Sequence, residues 1–163
     1  MCSHSSSAEQ AVKLAKTVEQ PSAVLADEQA KQASLKLMTE SGIAMVASLD
    51  ETGHPRIKAM LKMETEGLKQ VWFSTNTSSK RVAQFLRDPR SSVYFVDPAG
   101  FRGLLLVGEM EVHRDEAARR RLWRDGFEVY YPKGLDDPDY TVLRFVAREA
   151  NYYHGLSNRT FAV

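Results

Sequence analysis

Between Ser74 and Arg81 the chain reads STNTSSKR, so that the hydroxyls of Thr75, Thr77, Ser78 and Ser79 lead directly into two cations, Lys80 and Arg81. Residues of these types gathered in one place suit an anion, because hydroxyls and backbone N–H groups donate to phosphate oxygens while Lys and Arg neutralise the charge. The local pattern sharpens the point. Val71, Trp72 and Phe73 are strand formers, and after the polar interruption Val82, Phe85 and Leu86 fall at i, i+3 and i+4, the apolar face of a helix that Asp88 and Pro89 stop. Asn76, Thr77 or Ser78 could each be the N-cap. Lys80 and Arg81 therefore sit in a first helical turn, where the helix dipole disfavours cations by roughly 0.3–1 kcal/mol. A bound phosphate explains that placement. The competing reading is an ordinary capped surface helix with two solvated basic residues.

Other chemistries find less support. His4, His54, His113 and His154 lie at no metal-ligand spacing, so a metal centre is not expected. There is no Gly-x-Ser-x-Gly elbow, no Gly-x-Gly-x-x-Gly and no Walker-type loop, which leaves the strand-to-helix junction as the one candidate phosphate site. The 163 residues carry 22 basic and 21 acidic side chains, so no overall basic field invites nucleic acid. Cys2 is the single cysteine, which rules out a disulfide within one chain. No apolar run approaches the ~20 residues of a membrane helix, and a cytoplasmic protein is expected.

The elements that would position the junction follow from periodicity. A polar tail, Met1 to Ser7, precedes a helical stretch from Ala8 to Glu19, and a second helix is predicted over Asp27 to Ser41 with Ala30, Ala33, Leu37 and Met38 on one side. Ile43 to Leu49 reads as a strand, Asp50 to Pro55 as a hairpin connection, and Arg56 to Met63 as the returning strand. In that strand Arg56, Lys58, Met60 and Lys62 share one face. Ile57, Ala59, Leu61 and Met63 share the other, which is taken as the core side.

Further strands are predicted at Leu68 to Ser74, Ser91 to Val96, Phe101 to His113 with interior Gly103 and Gly108, Tyr140 to Arg148, Ala150 to His154 and Arg159 to Val163. Asp115 to Asp125 is a basic helix whose arginines suit a solvated face, and Gly126 to Asp139 is an aromatic-rich packed loop or short helix. The sum is an α+β fold, a six- to seven-stranded antiparallel split β-barrel with flanking helices.

Three segments, Gly53-His54-Pro55-Arg56-Ile57-Lys58-Ala59-Met60, Trp72 to Arg81 and Phe101-Arg102-Gly103, together resemble the FMN-binding split-barrel superfamily, pyridoxamine 5'-phosphate oxidase-like. Leu122-Trp123-Arg124, Tyr130-Tyr131-Pro132, Asp137-Pro138-Asp139-Tyr140 and Asn151-Tyr152-Tyr153-His154-Gly155-Leu156 are similar to its general stress protein 26 group. The resemblance runs from Asp27 to the C-terminus, dividing the chain into an N-terminal tail and helix, residues 1–26, and an FMN-binding domain, residues 27–163.

That resemblance implies a homodimer with FMN at the subunit interface. It places Arg56, Lys58 and Met60 along the flavin. Phe73, Ser74, Thr75, Asn76, Ser79, Lys80 and Arg81 would lie around the ribityl chain and phosphate, and Phe101, Arg102 and Gly103 would border the ring. Lys58 becomes a candidate to steady negative charge on the reduced ring. No catalytic residue is singled out, although Tyr153 and His154 are candidates for proton transfer. The sequence departs from true pyridoxamine-phosphate oxidases at Leu61, where they use a lysine, at Gly103, where they usually carry a glutamine, and at the C-terminus, which lacks their Arg-Leu-x-Pro segment. The implied function is a flavin-binding stress protein, an oxidoreductase acting on a small-molecule substrate or electron donor. A non-catalytic flavin store, sensor or interaction protein is the alternative.

Overall fold

Asp27 and Glu28 open α1 (Asp27–Glu40), two acids in the first turn where the dipole favours them. The computed structural model describes residues 12–13 and 25–163, so the tail, Cys2 and most of the helix expected over Ala8 to Glu19 lie outside the described residues. α1 turns Ala30, Ser34, Leu37 and Met38 inward, and Lys62 donates to the carbonyl oxygens of Met38 and Thr39 at its C-terminal end, where a cation is favoured.

Seven strands follow: β1 (Ile43–Leu49), β2 (Pro55–Glu66), β3 (Gln70–Asn76), β4 (Arg90–Asp97), β5 (Arg102–His113), β6 (Tyr140–His154) and β7 (Ser157–Ala162). All pair antiparallel in the order β3-β2-β1-β4-β5-β6-β7, and a further β3–β6 pairing closes six of them into a barrel with β7 outside the ring. The two strands predicted on either side of Glu149 are one continuous β6. Its first half pairs with β3 and its second half with β7, while β5 runs along the other side. Gly108 sits at the register shift in β5, and a Cβ there would lie 2.0 Å from the Val146 carbonyl oxygen. Only a glycine lets the two backbones approach so closely.

The interior is filled by Val46, Phe73, Phe95, Leu104, Leu143 and Phe145 among others, each essentially shielded from water. In β2 the expectation fails. Ile57 and Leu61 are 65% and 60% exposed, whereas Met60 is buried at 6%. The face carrying Arg56, Lys58 and Met60 is therefore the one that continues the barrel interior, pairing with Ser48, Val46 and Ala44 of β1. Alternation separated the two faces correctly but could not say which points inward, because the outward one is apolar as well.

Two shorter helices interrupt the run of strands, α2 (Lys80–Arg87) between β3 and β4 and α3 (Glu116–Leu122) between β5 and β6, the latter capped by the Asp115 side chain accepting from the Ala118 N–H at 2.9 Å. α3 packs on a second cluster of Trp72, Leu122, Tyr131, Tyr140 and Val142, joined by Trp123 and Phe127. The arginines in and just after it are employed locally: Arg121 lies 4.6 Å over Trp72 and bonds Glu64 and Glu66, and Arg124 also reaches Glu64. No helix among the described residues is long and apolar enough to cross a membrane, and no group of three or more His, Cys, Asp or Glu side chains among them is placed to hold a metal ion.

Candidate functional site

The N-cap of α2 is Ser79, one residue beyond the candidates read from the sequence. Its backbone is extended and its Oγ accepts from the Val82 N–H at 3.4 Å, while Ser79 N–H itself donates to the Asn76 carbonyl. Asn76, Thr77 and Ser78 instead hold the turn. The Asn76 amide and the Ser78 N–H both donate to the Asp139 carboxylate, at 2.6 and 2.7 Å, and the Thr77 N–H donates to the Asp139 carbonyl. Those contacts, the Asn76 side-chain bond first, hold the Asp139 carboxyl below its ordinary pKa.

With its start so anchored, α2 presents Lys80 and Arg81 in a first turn that contains no acid. They line a cleft of about 510 Å³ together with Ser79 and, from the end of the β1–β2 hairpin, Arg56 and Lys58. Among the described residues the side chains of Lys58, Lys80 and Arg81 make no hydrogen bond or ion pair to a protein group. Arg81 is half-buried, and that burial pushes its pKa down, the signature of a cation removed from water without a counter-charge. Two acids also line the cleft, Asp50 and Glu51. Asp50 is engaged: it accepts from the Thr52 hydroxyl and N–H, from the His54 N–H, and from Arg56 at 2.8 and 2.7 Å, which holds its carboxyl far below the usual range. The cleft is thus left with an excess of positive charge and a ring of donors.

Five of the residues singled out from sequence, Arg56, Lys58, Ser79, Lys80 and Arg81, meet at this cleft. Met60 and Phe73 are buried in the barrel core and do not line the cleft, and Thr75 is buried at 8%. Ser74 belongs to the other face of β3 and looks toward the second cluster, beside Trp72 and opposite Val142.

Phe101, Arg102 and Gly103 lie at the far end of the barrel. Arg102 is paired with Asp97 at 2.6 Å near Ile43, whereas Arg56 sits at the Leu49 end of β1. Phe101 has φ 50° and meets Tyr153 edge-on. A Cβ on Gly103 would lie 2.2 Å from the Tyr153 ring and 2.5 Å from the Tyr94 hydroxyl, and the two phenols are hydrogen-bonded at 2.7 Å. The glycine found where oxidases usually carry glutamine is explained by that packing. Burial, and then the Tyr153 hydroxyl, push the Tyr94 pKa up, so the Tyr94 phenol is neutral at ordinary pH.

Four cleft residues escaped the sequence reading: Ser48, Asp50, Glu51 and Gln84. A signal existed, since Ser48 is a polar residue at an inward position of β1 in register with Ala44 and Val46.

A family model described as pyridoxamine 5'-phosphate oxidase like matches residues 29–163. The chain belongs to the pyridoxamine 5'-phosphate oxidase-like family. Among solved structures, a Clostridium acetobutylicum protein related to general stress protein 26 of B. subtilis is 46% identical with a TM-score of 0.77, over 85% of this chain and 97% of that one. General stress protein 26 of Bacillus anthracis is 12% identical with a TM-score of 0.68, over 82% and 98% of the two chains. A heme binding protein from Mycobacterium smegmatis is 20% identical with a TM-score of 0.66, over 85% of this chain and 60% of that one. The last two share the fold of this pyridoxamine 5'-phosphate oxidase-like chain. No curated protein matches the sequence.

Proposed function

We propose that this pyridoxamine 5'-phosphate oxidase-like chain binds FMN as a homodimer and works as an oxidoreductase on a small substrate. The observation that carries the reading is the convergence of Lys58, Lys80 and half-buried Arg81 on one cleft, none of the three ion-paired to a protein group among the described residues. A dianionic phosphate monoester would supply the counter-charge. Ser79 and the first N–H groups of α2 would donate to its oxygens, Lys80 and Arg81 would neutralise it, and Lys58 with Arg56 would lie along the rest of the molecule. When bound, the isoalloxazine supplies the electron transfer.

The dimer is supported by the outer face of the hairpin. Ile43, Met45, Ile57 and Leu61 are 57%, 40%, 65% and 60% exposed, and the register sets Ile43 opposite Leu61 and Ala47 opposite Ile57 in one apolar stripe. Each such side chain gains about 1.5–3 kcal/mol when fully covered. A second copy of the chain is the cover that also reconciles the two ends of the barrel: Arg56, Lys58 and Lys80 of one protomer and Phe101 to Gly103 of its partner could then border one flavin.

The purified protein should be yellow and release FMN on denaturation. A colourless protein with no FMN affinity, or one with a haem Soret band, overturns the reading. Turnover of the reduced protein with NAD(P)H and quinones above the rate of free flavin separates the enzyme from a flavin store or sensor.

A further inference from the structure

The inward face of β1 runs Ala44, Val46, Ser48 and then Asp50 just past its end. The first two are core residues. The last two are polar yet only 4% and 7% exposed, at the one place on the strand where the barrel interior gives way to the cleft. A buried polar group is costly unless bonded, so its partner is informative.

Each has a partner that lines the cleft. Ser48 Oγ donates to Gln84 Oε1 at 2.6 Å. Asp50 accepts from Arg56 Nε and from its terminal nitrogen, at 2.8 and 2.7 Å. Both contacts fix which atoms remain free. With its oxygen committed to Ser48, the Gln84 amide has its two N–H donors left, and with one edge of its guanidinium on Asp50, Arg56 keeps N–H groups on the other. Gln84 stands four residues after Lys80, on the same side of α2 one turn further from the helix start, where a phosphate seated on Ser79 and Lys80 would continue into the neutral part of its ligand.

We infer that Ser48 and Asp50 are positioning residues, the first for Gln84 and the second for Arg56, and that the Gln84 amide is a specificity contact, donating to an uncharged acceptor oxygen next to the phosphate, such as a sugar-alcohol hydroxyl. This rests on the FMN reading above and deepens it, since it says how the cleft distinguishes a phosphorylated polyol from phosphate alone. Ser48 sets the orientation of the amide. Asp50 sets that of the guanidinium and spends one of the cleft's negative charges in doing so.

The test is isothermal titration of the full-length protein with FMN and, separately, with inorganic phosphate. Gln84→Glu keeps an acceptor for the Ser48 hydroxyl but removes the amide donors. It should weaken FMN at least tenfold, with the same melting temperature. Gln84→Ala should lower FMN affinity about tenfold and leave phosphate affinity unchanged, and Ser48→Ala should weaken FMN in the wild-type background but add nothing to Gln84→Ala, the coupling expected of a residue that acts through another. Equal losses for FMN and phosphate in Gln84→Ala, unchanged FMN affinity, or additive effects of Ser48→Ala and Gln84→Ala would each sink the inference while leaving the cleft as an FMN site. A wild-type chain with no FMN affinity sinks both.

Discussion

The Asn76 amide donates to the Asp139 carboxylate at 2.6 Å, across sixty-three positions of sequence, and so ties the start of α2 to the start of β6. That bond and the Ser78 N–H on the same carboxylate explain how eight residues of helix keep a fixed entry angle with two cations in the first turn. The folded-state pKa of Asp139 is depressed, so its contribution to stability is present above the ordinary carboxylate value of ~3.9 and is lost as pH falls through the lower folded value. Asp139→Asn should therefore flatten the acid limb of a thermal-unfolding series below about pH 4. It should also speed hydrogen exchange at the Thr77 and Ser78 amides. An unchanged acid limb would show that the contact contributes nothing.

Replacing Ser79 and Lys80 together by alanine separates stability from binding. Loss of the Ser79 cap costs about 1 kcal/mol, and removal of a cation from the first turn returns about 0.3–1 kcal/mol. Melting temperature should hardly move. Loss of a charge-assisted contact at about 1.5–3 kcal/mol should weaken FMN binding by roughly 10- to 100-fold, read by fluorescence titration of the flavin.

Leu61→Glu or Ile57→Glu places a charge in the middle of the outer apolar stripe of β1 and β2 without touching the barrel interior. Sedimentation should report a change from dimer to monomer, with far-UV circular dichroism preserved and FMN affinity reduced. A dimer that survives both substitutions would place the interface elsewhere.

Gly108→Ala tests the β5–β6 crossing. The added Cβ would fall 2.0 Å from a backbone oxygen that has no rotamer to escape into. Destabilisation of about 1–3 kcal/mol is expected, which for a chain of this size lowers the melting temperature by roughly 2–4 °C per kcal/mol.

Much of this architecture is legible in the sequence alone. β1 runs from Ile43 to Leu49 as its apolar run and flanking turn residues indicated, and the interior Gly108 marked a real bulge. β2 was not readable in the same way. Its two faces follow from period-two alternation, but a sequence cannot tell a face that packs on its own core from one shaped for another surface, since both are apolar. β6 looked broken at Glu149 because a long strand that changes partners half-way carries exposed charge where one neighbour leaves and another arrives. At the cleft, the residues carrying charge were found. Ser48, which bonds Gln84, and Asp50, which bonds Arg56, were not, because their role depends on side chains that only the folded chain brings near.

Lys58, Lys80 and Arg81 stand at the edge of the packed hydrocarbon, on strand β2 and in the first turn of a short helix, where none of them belongs to the buried core. Exchanging them should alter what is carried without unsettling the vessel. A scaffold arranged in this way is free to diversify its cargo by a few substitutions at the rim, and it offers engineers the same liberty.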